Sequence, residues 1–211
     1  MKRRTLVLLM VLGLLIAAVP AASAHGGSDK ATLTWFVGAP ALGLAEEADV
    51  GSPAGNGAHT RLTRGDDTVW AQVHSRNLSP GHAYTVWAIV WNDPGNCGDP
   101  IPGTGSLCGE GDLGNVAAGS GAFWSGMSGV ANAAGNLNLR GHIHEDVAPG
   151  EVLFGELLTD AENAEIHFIV RDHGPASDDP ATLEAQLTTV GGGCGDFDCD
   201  DPQASIHVGN A

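Results

Sequence analysis

Between Leu137 and Pro175 the chain twice alternates polar and apolar residues with a period of two, a pattern that fits strands and not helices. From Asn136 to His144, Leu137, Leu139, Gly141 and Ile143 fall on one face, with Asn138, Arg140, His142 and His144 on the other. From Ala164 to Asp172, Ala164, Ile166, Phe168 and Val170 oppose Glu165, His167, Ile169 and Arg171. Thr68–Arg76 repeats the pattern, with Val69, Ala71 and Val73 as its apolar set. Ala83–Trp91 is apolar on both faces and reads as a central strand.

Further strands are expected at Ala31–Val37, Val116–Trp124, Gly126–Ala133, Glu151–Leu158 and Ser205–Val208. Residues 38–60 read as a long surface excursion. Only Ala181–Gln186, after Pro180, reads as helical. Many short strands with glycine-rich turns predict an all-β antiparallel β-sandwich, with a closed β-barrel as the alternative.

The N-terminus constrains location. Lys2, Arg3 and Arg4 precede an apolar run from Leu6 to Val19, and Ala22-Ser23-Ala24 fits the small-residue cleavage rule. Residues 1–24 are therefore expected to be a signal peptide, and 25–211 a single domain beginning at His25. No later stretch approaches the ~20 apolar residues of a membrane-spanning helix, so a secreted or periplasmic protein is expected.

Three of the nine Lys and Arg lie in those 24 residues and none of the 25 Asp and Glu, leaving six cations against 25 acids and a formal charge of −19. Such a charge repels nucleic acid, which is not expected as a partner. Of the three pairings open to four cysteines in an oxidising compartment, Cys97 with Cys108 and Cys194 with Cys199 is favoured, closing two long loops.

Two imidazoles at i and i+2 of a strand share a face, so His142 and His144 are candidate ligands for copper or zinc. His167 and His173 join them if the two alternating strands are neighbours. The competing reading is a solvated face, on which Arg140 and Arg171 meet an anionic ligand or form ion pairs. His25, if it becomes the N-terminal residue, could chelate copper through its amine and ring, an arrangement that resembles the histidine brace of copper monooxygenases. Asp196, Asp198, Asp200 and Asp201 alternate like the start of a calcium loop, but Asp201 stands where an EF-hand needs glycine. Trp70, Trp87 and Trp91 read as core, while Trp35 and Trp124 are candidate sugar platforms. No Gly-x-Ser-x-Gly, phosphate-binding or dinucleotide motif is present.

The segments LSPGHAYTVW (78–87) and AEIHFIVRDHGPA (164–176) resemble a group of exported bacterial β-rich proteins without an established activity. Gly141-His142-Ile143-His144, with Gly150 and Gly155, is similar to the His-x-His strand of chordin-type domains and, more distantly, of copper/zinc superoxide dismutases. The remaining dismutase ligands have no counterpart in the sequence. Three functions are consistent with these features: a secreted non-enzymatic binding or structural module with a histidine-rich face, a copper- or zinc-dependent redox enzyme using the same histidines, and a carbohydrate or adhesion module.

Overall fold

The computed structural model describes residues 28–37, 49–55, 57–194 and 199–209, with the backbone alone for 35–37 and 49–52. The expected signal peptide and His25 lie outside these residues. Among the described residues, eleven strands form two antiparallel sheets. Strands β1 (Ser28–Thr32), β4 (His59–Arg64), β5 (Thr68–Ser75) and β8 (Leu137–His144) make a four-stranded sheet in the order β1-β4-β5-β8. The other sheet has seven strands in the order β3-β2-β11-β10-β6-β7-β9. They are β2 (Thr34–Val37), β3 (Asp49–Pro53), β6 (His82–Trp91), β7 (Ser120–Val130), β9 (Val152–Gly155), β10 (Glu165–Pro175) and β11 (Asp200–His207). The sheets pack face to face as a sandwich, and neither closes into a barrel.

Period-two patterning places the core. The apolar sets of β5 and β8, Val69, Ala71, Val73, Leu137 and Ile143, are buried against Tyr84, Val86, Ala88 and Val90 of β6 and Ile166, Phe168 and Val170 of β10. The opposite face of the seven-stranded sheet is covered as well. There Trp87, Ile89, Trp91, Ala122 and Ile169 form a second apolar cluster with Cys108, Ala118 and Val190. Its lid is the loop between β6 and β7, closed by the Cys97–Cys108 disulfide, together with helix α1 (Pro180–Thr188) and the segment after it. Asp179 caps α1 by accepting from the Thr182 N–H, and Pro180 fills its first turn.

Several sequence expectations need correction. Ala31–Val37 is not one strand. At buried Leu33 the chain crosses from the four-stranded to the seven-stranded sheet, the Leu33 N–H donating to Ala58 O and its carbonyl accepting from Ala54 N–H. The expected excursion over 38–60 contains β3 and the start of β4. The strands expected at Val116–Trp124 and Gly126–Ala133 are one, β7, and the start of the first, Val116–Ala118, is a 3-10 turn. Its irregular middle is a bulge: between the pairs Val86–Met127 and Trp87–Trp124 two residues are looped out, with Gly126 at φ 79°. The strand expected over Glu151–Leu158 is only the four residues of β9, and β11 is longer than the four residues expected.

The polar residues of β10 are buried too, because their face lies under the lid. Arg171 is fully buried, donates through Nη1 to Asp201 at 3.0–3.1 Å and through Nε to Val190 O at 2.9 Å, and therefore meets no external ligand. Removing one partner of such a pair leaves the other charged in a dry site. Arg171→Ala is expected to destabilise the protein by about 3–5 kcal/mol. The double change Arg171→Met/Asp201→Leu should cost much less, with urea unfolding of both variants as the check.

Candidate functional site

The outer face of the four-stranded sheet, on which no other described residues pack, is the candidate site. On β1, β4, β5 and β8 the side chains pointing away from the core are Ser28, Lys30, Thr32, His59, Arg61, Thr63, Thr68, Trp70, Gln72, His74, Asn138, Arg140, His142 and His144, all exposed or half-buried. None is acidic. Register sets them in cross-strand rows, of which one runs Lys30, Arg61, Gln72, Arg140 and another Thr63, Trp70, His142. A third row holds His59, His74 and Asn138. Arg76, at the same parity just beyond β5, donates to Asn138 Oδ1 at 3.2 Å. Four of the six cations outside the first four residues therefore share one face with four imidazoles.

Hydrogen bonds orient three of the rings. His59 Nδ1–H donates to Gly57 O at 2.7 Å. His74 Nδ1–H donates at 2.9 Å to Asn138 Oδ1, the atom that also accepts from Arg76 and so must be the amide oxygen. Thr68 Oγ1 donates to Asp67 Oδ1 at 2.9 Å, so His144 Nδ1–H, 2.8 Å away, is the donor to that hydroxyl. Each ring thus turns its Nε2 lone pair away from its anchor. The rings of His59 and His74 lie 4.7 Å apart between centroids, those of His142 and His144 6.2 Å.

The four-histidine cluster drawn from sequence does not form. His142 and His144 sit on β8 in one sheet, His167 and His173 on β10 in the other, with the core between. His167 is buried and donates through Nε2 to Glu165 Oε1 at 2.8 Å, its ring edge-on to Trp91. Glu165 also accepts from Ser106 Oγ and from the N–H groups of Leu107 and Cys108, which ties the disulfide-closed loop to β10. Ser106 meets a carboxylate and not an imidazole, so its hydroxyl is not set up as a nucleophile.

His173 is held in a chain of its own. Trp87 Nε1–H donates to Thr85 Oγ1, whose hydroxyl donates to His173 Nε2, and His173 Nδ1–H donates to Gly192 O at 2.7 Å. Burial pushes its pKa down, in keeping with a neutral ring. Its Nδ1 and the sulfurs of Cys194 and Cys199 lie within 4.8 Å of one another, a His/Cys group of metal-binding composition. The two sulfurs are joined as a disulfide, so the group offers a metal no thiolate. Cys97 and Cys108, beside Asp112, are likewise joined. The calcium reading loses Asp201 to Arg171, and Asp196 and Asp198 lie outside the described residues.

Of the tryptophans, Trp87 and Trp91 are core as expected. Trp70 is not: it stands on this outer face, tilted 6.5 Å from the His142 ring. Strict alternation from Val69 to His74 already placed it opposite the buried set, a signal outweighed by the general preference of tryptophan for cores. Trp124 is half-buried against Gly150, where a Cβ would meet its ring at 2.2 Å, and the Trp35 side chain lies outside the described set. No local spacing links His59 and His74, fifteen residues apart, so only the register of β4 on β5 pairs them.

Comparison with protein-family models, curated proteins and solved structures found no match.

Burial raises the pKa of the Glu165 carboxyl, but donors from His167, Leu107 and Ser106 overcome this and hold it at about 2. A depressed carboxylate adds stability above its unfolded pKa, and that stability is lost as pH falls through the folded value. Acid unfolding should therefore draw on Glu165 between about pH 4.5 and 2. Glu165→Gln is expected to lower stability at neutral pH and to flatten the stability profile across that window, as read by chemical denaturation at a series of pH values.

Proposed function

We propose that the chain is an exported, non-enzymatic β-sandwich binding module, and that the outer face of the four-stranded sheet takes an anionic polysaccharide. One observation carries this reading: in a chain with 25 acidic residues, Lys30, Arg61, Arg76 and Arg140 converge on a strand face that has none. At physiological salt, charge acts over about 8 Å, so this local patch and not the net charge decides what docks on it.

The geometry suits a polymer that offers both charge and rings. Lys30, Arg61 and Arg140 stand in one row across strands about 4.8 Å apart, while Trp70 and the imidazoles beside them offer flat surfaces. Arginine in particular pairs with carboxylate or sulfate through two parallel hydrogen bonds. For an exported protein, acidic polysaccharides are the anionic polymers at hand. The same imidazoles give the face a capacity for metal.

The test is retention on immobilised dextran sulfate and polygalacturonate against neutral dextran, at low and physiological ionic strength and with a chelator present. Wild-type protein is expected to be retained on the charged matrices and released by salt. Arg61→Glu/Arg140→Glu should weaken binding by at least about tenfold without altering thermal stability. Equal retention of that variant, or none by the wild type, would exclude the face as an anion-binding surface.

A further inference from the structure

We infer that the groove beside His59 is a subsite for one anionic group of the polymer, a sulfate ester or a carboxylate, whose binding is linked to protonation of the stacked His59–His74 pair, an extension that rests on the anion-binding reading of this face. The groove has a volume of about 470 Å³, is open to solvent, and is lined by Lys30, Thr32, Pro53, Gly55, Gly57 and His59. It lies where the end of β1 meets the turn between β3 and β4. The Lys30 ammonium, the Thr32 hydroxyl and a protonated His59 ring are all hydrogen-bond donors, as an oxyanion requires.

The groove wall is fastened before any ligand arrives. Ala54 N–H donates to Leu33 O, Ala58 N–H to Gly55 O, and Asn77 Nδ2 to Ala54 O at 3.0 Å. Gly57, at φ 82°, has nothing within 4 Å of where a Cβ would stand, so the turn needs glycine there and the space beside it stays open.

Register sets the row Thr32, His59, His74, Asn138 across the four strands. The two rings lie 4.7 Å apart between centroids, with planes 25° from parallel. Each Nδ1–H is already donated, to Gly57 O and to Asn138 Oδ1, so a further proton goes to Nε2 in both. Histidine is the side chain whose charge ordinarily changes between about pH 5 and 8, and two imidazolium rings stacked this closely repel unless an anion lies beside them. The charged groups around the pair are Lys30 on β1, Arg61 on β4, Arg76 beyond β5 and Arg140 on β8, and the turn between β3 and β4 adds no titratable side chain among the described residues. All four are cations, so the neutralising charge has to come from the ligand. Anion and proton therefore favour each other, and by linkage the affinity for the anion rises as pH falls.

Low-molar-mass dextran sulfate is the probe, because its sulfate esters keep their charge throughout. Binding is followed by calorimetry at about pH 7.5 and about pH 5.5, on either side of the ordinary histidine range, at constant ionic strength and with a chelator present. Affinity is expected to be at least about fivefold higher at the lower pH, with proton uptake read from the heats in two buffers of different ionisation enthalpy. His59→Gln/His74→Gln should remove most of that gain while leaving affinity at the higher pH within about twofold of wild type. His142→Gln/His144→Gln should keep the gain, and thermal unfolding should be the same for both variants, since these side chains stand on the sheet surface. Wild-type affinity that does not change with pH, a gain undiminished in the His59/His74 variant, or one lost in the His142/His144 variant would overturn the inference and leave the anion-binding face standing. No binding at either pH would overturn both.

Discussion

Strands β6 and β10 pair over most of their length and are buried on both faces, and the rest of the protein is arranged around that fact. A strand covered on both sides can keep a polar side chain only if the protein itself supplies every partner. Glu165, His167, Arg171 and His173 all lie on the face of β10 turned from the core. His167 is bonded to Glu165 on the same strand, and the other three are met from elsewhere in the chain: Ser106, Leu107 and Cys108 for the glutamate, Val190 and Asp201 for the arginine, Gly192 for His173. Among the described residues no buried side-chain nitrogen or oxygen lacks a hydrogen bond. The lid over the seven-stranded sheet is thus fastened by polar contacts as much as by the Trp87 and Trp91 cluster.

The inter-sheet seam follows the same rule. On β11, His207 is buried between Thr60 Oγ1 and Asp29 Oδ2 at 2.7 and 2.8 Å, and Gln203 joins Ser75 to the Arg76 carbonyl. Burial drives the His207 pKa down against the pull of Asp29. Tyr84 reaches back to accept from the Ser79 N–H and donates to Asp172, fixing the turn before β6 much as a tyrosine corner does. With one sheet covered twice and the seam closed by hydrogen bonds, the outer face of the four-stranded sheet is, among the described residues, the one that no other element covers.

The histidines show how far the sequence could be read. His142 and His144 were placed on the exposed face of their strand, and the structure has them there. His167 and His173 follow the same alternation but are buried, because a polar face on β10 meets the loop carrying Ser106 and the segment carrying Gly192. Arg140 and Arg171 divide in the same way, one solvated and one sealed against Asp201. Trp70 departs in the opposite direction: its size suggests core, while its periodicity points outward, where the structure has it.

Local chemistry determined the central strands, the turns, the one α-helix among the described residues and the two disulfides, because period-two alternation, turn residues and short cysteine spacings act over a few residues. Tertiary structure decided which polar face stays in water. Alternation separates the two faces of a strand but carries no information about what packs on either, and here the cover over Glu165 comes from Ser106, 59 positions away, and that over Trp87 includes Val190. The pairing of His59 with His74 belongs to that second category, since it exists only through the register of β4 on β5.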